Sequence, residues 1–121
     1  MMLSVIYNPN KTQMNKLVSE LAYRGGDWNL TLYGEINANT VASVWVDDIT
    51  QTLNEVQAQC LVIDLTAVER VDAYGFGFLL RLKRTLDRHR IDIALQNPSP
   101  TVRHLLKILK FDDIFEVRMV H

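Results

Sequence analysis

Residues 60–65 read Cys-Leu-Val-Ile-Asp-Leu, an apolar run too short for a helix and too continuous for a strand with one wet face. Such a run predicts a central strand covered on both sides, and the rest of the chain has to supply the cover. Downstream, the spacing predicts a helix from Ala73 to His89. "IDIALQN" (91–97) follows as an alternating strand, and a second helix runs from Pro100 to Lys110. Pro98 and Pro100 bracket Ser99, and Pro100 falls near the first helical position, where its missing N–H costs little. "FDDIFEVRM" ends the pattern with a turn and a short strand.

Upstream, "WNLTLYG" (28–34) alternates Trp28, Leu30 and Leu32 with Asn29, Thr31 and Tyr33, as a half-buried strand does. Asn39 or Thr40 then caps a helix whose apolar stripe is Val41, Val44, Trp45, Ile49, Leu53 and Val56. The first 27 residues give weaker signals. "LSVIY" (3–7) reads as a short strand stopped by Asn8, Pro9 and Asn10. Thr12 is placed to cap a short helix carrying Met14, Leu17, Val18 and Leu21, with Gly25 and Gly26 ending it. Strands alternating with helices across short connections define an α/β sheet with parallel crossovers.

A chain of 121 residues is one domain's worth of material and needs no metal or disulfide to hold a core. Its net charge of -1 gives no global field toward nucleic acid or anionic lipid. The charge is uneven, however: residues 1–60 hold three Lys/Arg and six Asp/Glu, residues 61–121 ten and eight. The single cysteine, Cys60, has no internal partner and is read as a small buried hydrophobe. No stretch has the pattern of a secretory leader, and no apolar run approaches the ~20 residues of a membrane span, so a cytosolic protein is expected.

The feature that asks for explanation is "VDAYGFGFLL" (71–80), which opens the long helix with an aspartate and two glycines. Asp72 suits an N-cap, its carboxylate accepting from the unpaired N–H groups of the first turn. Gly75 and Gly77 each cost a helix about 1 kcal/mol relative to alanine, so either the helix packs tightly there or a partner approaches closely. At 100° per residue, Gly75, Phe78, Leu79, Leu82 and Leu86 make the core stripe. Ala73, Phe76, Gly77, Leu80, Arg84 and Asp87 fall on another side, which is either a docking strip or a surface tucked under the next helix.

Catalytic and cofactor chemistry is not indicated. His89, His104 and His121 lie in different elements, without cysteines or paired carboxylates at ligand spacing. "GGD" (25–27) lacks the Lys-Ser/Thr of a phosphate loop, and "YGFG" is no dinucleotide fingerprint. The basic stretch "RLKRTLDRHR" (81–90) is interrupted by Asp87 and has no interleaved aromatics, which favours a solvated face over nucleic-acid binding.

Residues 28–117 resemble the STAS domain of anti-sigma factor antagonists. The likeness rests on "LVIDL", on "DAYG" where the family has Asp-Ser-Ser-Gly opening a helix, on the "NPSP" turn before the last helix, and on "GEINANT" (34–40). It implies a single mixed sheet with parallel βαβ crossovers and helices mainly on one face, with residues 1–27 as an N-terminal extension and 28–121 as the STAS-like domain. It also implies a non-enzymatic module that needs no cofactor and binds a histidine-kinase-like anti-sigma factor or another regulatory protein. In that family the residue after the motif aspartate is the phosphoacceptor; here it is Ala73, which has no hydroxyl. Tyr74 and Ser99 remain as other acceptors. The partner site so implied is Asp72, Ala73, Tyr74, Gly75, Phe76, Gly77, Leu80 and Arg84. The family also includes STAS subunits of membrane transport assemblies, such as cytosolic partners of lipid-transporting ATPases, and a homodimer is compatible with the sequence.

Overall fold

A computed structural model describes residues 4–7, 18–40 and 46–120 of the chain. Within them lies one six-stranded sheet whose spatial order repeats the chain order: β1 (Ser4–Tyr7), β2 (Val18–Arg24), β3 (Asp27–Ile36), β4 (Cys60–Val71), β5 (Asp92–Gln96) and β6 (Glu116–Arg118). The first three strands pair antiparallel and the last four parallel. Each parallel step carries a helix: α1 (Val46–Glu55), α2 (Ala73–Arg88) and α3 (Pro100–Ile108). Successive crossovers of one hand, all stepping the same way along the sheet, put their helices on the same face.

That face holds the core. Trp28, Leu30 and Leu32 of β3, Leu61, Ile63 and Leu65 of β4, and Ile93 and Leu95 of β5 point into it. Ile49 and Leu53 of α1 meet them from above, as do Phe78, Leu79, Leu82 and Leu86 of α2 and Val102 and Leu106 of α3. By the two-residue period of a strand, the opposite face carries Asn29, Thr31, Cys60, Val62, Asp64, Asp92, Ala94 and Gln96. Val62 and Ala94 are buried there although none of the described helices lies on that side. Arg118, on the same face of β6, reaches Asp27 at the start of β3 with 3.7 Å between charged atoms, and so crosses the strands between.

The structure changes several sequence readings. Val18 and Leu21 belong to a strand, and Gly25 and Gly26, at φ +61° and +87°, form the two-residue hairpin that returns the chain into β3. Positive φ at both central positions is what a tight hairpin matching the twist of its strands demands. Leu21 and Tyr23 face the core while Glu20 and Ala22 face away, so the period here is two. Thr12, Met14 and Leu17 lie outside the described residues. β2, inside the stretch read as a separate extension, pairs with β3 along its whole length.

β4 is also longer than 60–65, continuing through "TAVERV" to Val71 with two register shifts against β3. In α1, Ile49 and Leu53 face inward as expected and Val46 joins them, but Val56 stands beyond the helix end and is exposed; Val41, Val44 and Trp45 lie outside the described residues. Asn39 and Thr40 sit in a turn, where the Asn37 side chain accepts from both their N–H groups at 2.9 and 3.1 Å; the residues that follow, 41–45, lie outside the described residues. The last helix stops at Ile108, with Leu109 as its cap and Lys110 at φ +59°.

Candidate functional site

The parallel strands bring the C-terminal ends of β3 and β4 together, and α2 starts there. Asp72 leaves the strand in an extended conformation and caps the helix, its Oδ1 accepting from Gly75 N at 2.8 Å. Its own N–H donates to Ile36 O at 3.1 Å, and its carbonyl accepts from Phe76 N at 2.9 Å. One residue thus ties the first turn of α2 to the end of β3. Gly75 completes the joint: a Cβ there would run into the Ile36 carbonyl and come within 2.7 Å of Val71 Cγ1. Close helix-to-sheet packing is the reason for this glycine.

Gly77 has no such reason. It is exposed, and a Cβ added to it would meet nothing beyond its own helix within 4 Å. Beside it Asp72, Ala73 and Tyr74 are exposed, Tyr74 with 68% of its surface in solvent. Leu80 is half-buried and Arg84 exposed further along the helix.

Phe76 departs from this strip. It is only 4% exposed and meets Phe111 edge-on at 5.5 Å between ring centroids; Phe111 in turn stacks on Phe115 at 5.8 Å. The 3₁₀ turn Phe111–Asp113 and the residues leading into β6 fold back over α2, so the helical wheel placed Phe76 off the main stripe while the end of the chain covers it. Gly75 is likewise buried and shapes the surface only from beneath. What remains outward is Asp72, Ala73, Tyr74, Gly77, Leu80 and Arg84.

A shallow cavity of about 290 Å³ adjoins this turn, bounded by Arg70, Val71, Asp72, Thr101, Val102 and Leu105. Its α3 residues were not anticipated. The signal was present, since α3 follows the neighbouring parallel strand and therefore also begins at this end of the sheet. Arg70 leans toward Glu35 at 3.9 Å, a loose and solvent-exposed pair worth little energy.

Cys60 lies far from this turn, at the start of β4, and is half-buried. Burial pushes its thiol pKa up, and the Asp27 carboxylate adds to the effect. A thiol held protonated in this way is a poor nucleophile. Among the described residues, no group of three His, Cys, Asp or Glu side chains is arranged to hold a metal ion. No described helix is long and apolar enough to cross a membrane.

The fold and this turn define a single-sheet α/β domain that presents the exposed start of a helix at the C-terminal edge of its strands. The model of the STAS domain matches residues 20–121, and the chain belongs to that family. An anti-sigma factor antagonist from Mycobacterium paratuberculosis has the same fold, with a TM-score of 0.65 at 17% identity over 98% of this chain and 86% of that one. The Bacillus cell fate determinant SpoIIAA in its phosphorylated form matches with a TM-score of 0.58 at 16% identity, covering 97% and 92%. In sequence, sulfate transporter 3.1 of Arabidopsis thaliana is 27% identical over 70 residues, 55% of this chain but only 11% of the transporter.

Proposed function

We propose that this STAS domain is a non-enzymatic module that docks a regulatory protein through the exposed first turns of α2. The observation that carries the reading is the contrast within that turn: Tyr74 stands largely in solvent beside Ala73 and Gly77, on a base fixed by Asp72 and Gly75. A partner meeting this surface gains an aromatic side chain at its centre and a helix backbone bared by glycine. The partner class suggested by the resemblance is a histidine-kinase-like anti-sigma factor in the cytoplasm. Ala73 stands where such antagonists carry their phosphoacceptor, so binding here is not switched off by phosphate at that position.

The test is binding of purified chain to the histidine-kinase-like anti-sigma factors of its host. Tyr74→Ala and Ala73→Glu should each weaken the complex at least about tenfold, the loss of one interface hot spot, while the melting temperature holds. Wild-type affinity in both variants would overturn the reading. Intact mass after expression in the host should show no phosphate on the α2 turn; phosphate on Tyr74 would mean that the switch survives in altered form.

A second reading, a STAS component of a membrane transport assembly, draws on the similarity to the sulfate transporter. Co-purification with transporter subunits in place of an anti-sigma factor would favour it.

A further inference from the structure

On the outer side of α3, Arg103, His104 and Lys107 occupy positions i, i+1 and i+4 and are all exposed. The helix carries no acidic residue, and none of the three side chains forms an ion pair among the described residues. They line a cavity of about 330 Å³ whose remaining walls are Pro98, Pro100 and Met119. Among the described residues no carboxylate borders it, so every described charge facing the space is positive or, at His104, becomes so on protonation.

The cavity is built by fixed parts of the chain. Asn97 adopts φ +55°, a left-handed conformation that asparagine tolerates better than most residues. Its N–H donates to Arg118 O at 2.8 Å, and its Oδ1 accepts from Val120 N at 2.7 Å. These two bonds clamp both sides of Met119 against the 97–100 loop. Across the space, Ser99 Oγ accepts from Val102 N at 3.2 Å and its carbonyl from Arg103 N at 2.8 Å, fixing the start of α3. A cation cluster on a stiff frame does not collapse onto itself when unoccupied.

We infer that this cavity is a binding site for a tetrahedral oxyanion, phosphate or sulfate, free or as the head group of an ester. The Arg103 guanidinium suits two oxygens of such a group at once, and Lys107 supplies a point charge one turn further on. The proline and methionine walls accept the uncharged part of an ester, and the volume lies at the small end of ligand pockets. The site is independent of the α2 surface and does not rest on the docking proposal.

The experiment is an amide chemical-shift titration of the full chain with sodium phosphate and with sodium sulfate, sodium chloride holding the ionic strength constant. Saturable shifts are expected for residues 101–107 and 119–120. Arg103→Gln with Lys107→Gln should weaken binding about tenfold or more, since each change removes a charge-assisted hydrogen bond; unchanged melting temperature establishes that the variant folds. A second arm sediments the protein with phosphatidylcholine vesicles with and without phosphatidylglycerol. Saturation by free ions alone assigns a soluble anion, and sedimentation with anionic vesicles that is lost in the double variant assigns a phosphate headgroup. Shifts reproduced by chloride, wild-type binding in the double variant, or no response in either arm would overturn the inference.

Discussion

On the inner side of the first turn of α2, the place where a Gly75 side chain would stand is taken by the Ile36 carbonyl and Val71; on the outer side, two residues on, the corresponding place at Gly77 is open. Both glycines weaken an isolated helix by similar amounts. The inner one is repaid in packing, because it lets the helix axis approach the end of β3. The outer one is not, and the fold alone gives no account of it. The same division runs through the neighbouring side chains, with Phe76 and Leu79 buried while Tyr74 and Arg84 stand outside. One turn of helix therefore serves two masters, and substitutions can separate them.

The largest effect is expected at Phe76. Phe76→Ala removes a ring packed on Phe111 and should cost about 3–5 kcal/mol, read as a fall in the denaturant midpoint without a change in slope. A loss below about 0.5 kcal/mol would return Phe76 to the outer surface. Gly75→Ala comes next: overpacking against backbone should cost about 1–3 kcal/mol net, although alanine favours the helix. A neutral result would mean that α2 can move off Ile36.

Asp72→Ala should remove about 1 kcal/mol of capping energy and leave a folded domain, measured by thermal melting. Any further loss of partner affinity would show that the cap also sets the geometry of Ala73 and Tyr74. Gly77→Ala is expected to act in the other direction, stabilising by about 0.5–1 kcal/mol through backbone entropy and helix propensity. If that more stable protein binds its partner less well, the bare backbone at Gly77 belongs to the interface; if binding is unchanged, the contrast between the two glycines has no functional content.

Much of the architecture was legible because it depends on local pattern. "CLVIDL" announces an interior strand, and Pro100 behind Ser99 announces a helix start that Ser99 does cap. The core stripe of α2 followed from its period and is found buried. Three of the failures share a cause: each was decided by chain outside the element itself. Met14, Leu17, Val18 and Leu21 suit a helix in isolation, and it is pairing with β3 that makes 18–24 a strand. Phe76 reads as exposed on a lone helix until Phe111 arrives over it. The groove beside Asp72 needs α3 to return to the same end of the sheet, a consequence of parallel topology that no single motif expresses.

The coincidence of spatial and chain order in the sheet has a kinetic consequence. Every described strand pairs with its neighbour in sequence, so no strand waits for a distant one to be synthesised, and each loop closed during assembly spans only one hairpin or one strand-helix unit. The parallel pairings still join residues as far apart as Trp28 and Leu61, which places folding between that of helical bundles and that of all-β domains. On a ribosome, such a sheet can grow from its first strands toward its last, each new parallel strand arriving with the helix that will cover it. The 3₁₀ turn and β6 follow the other described elements in the chain, so Phe76 and the frame around Met119 are closed only after the strands before them have been made.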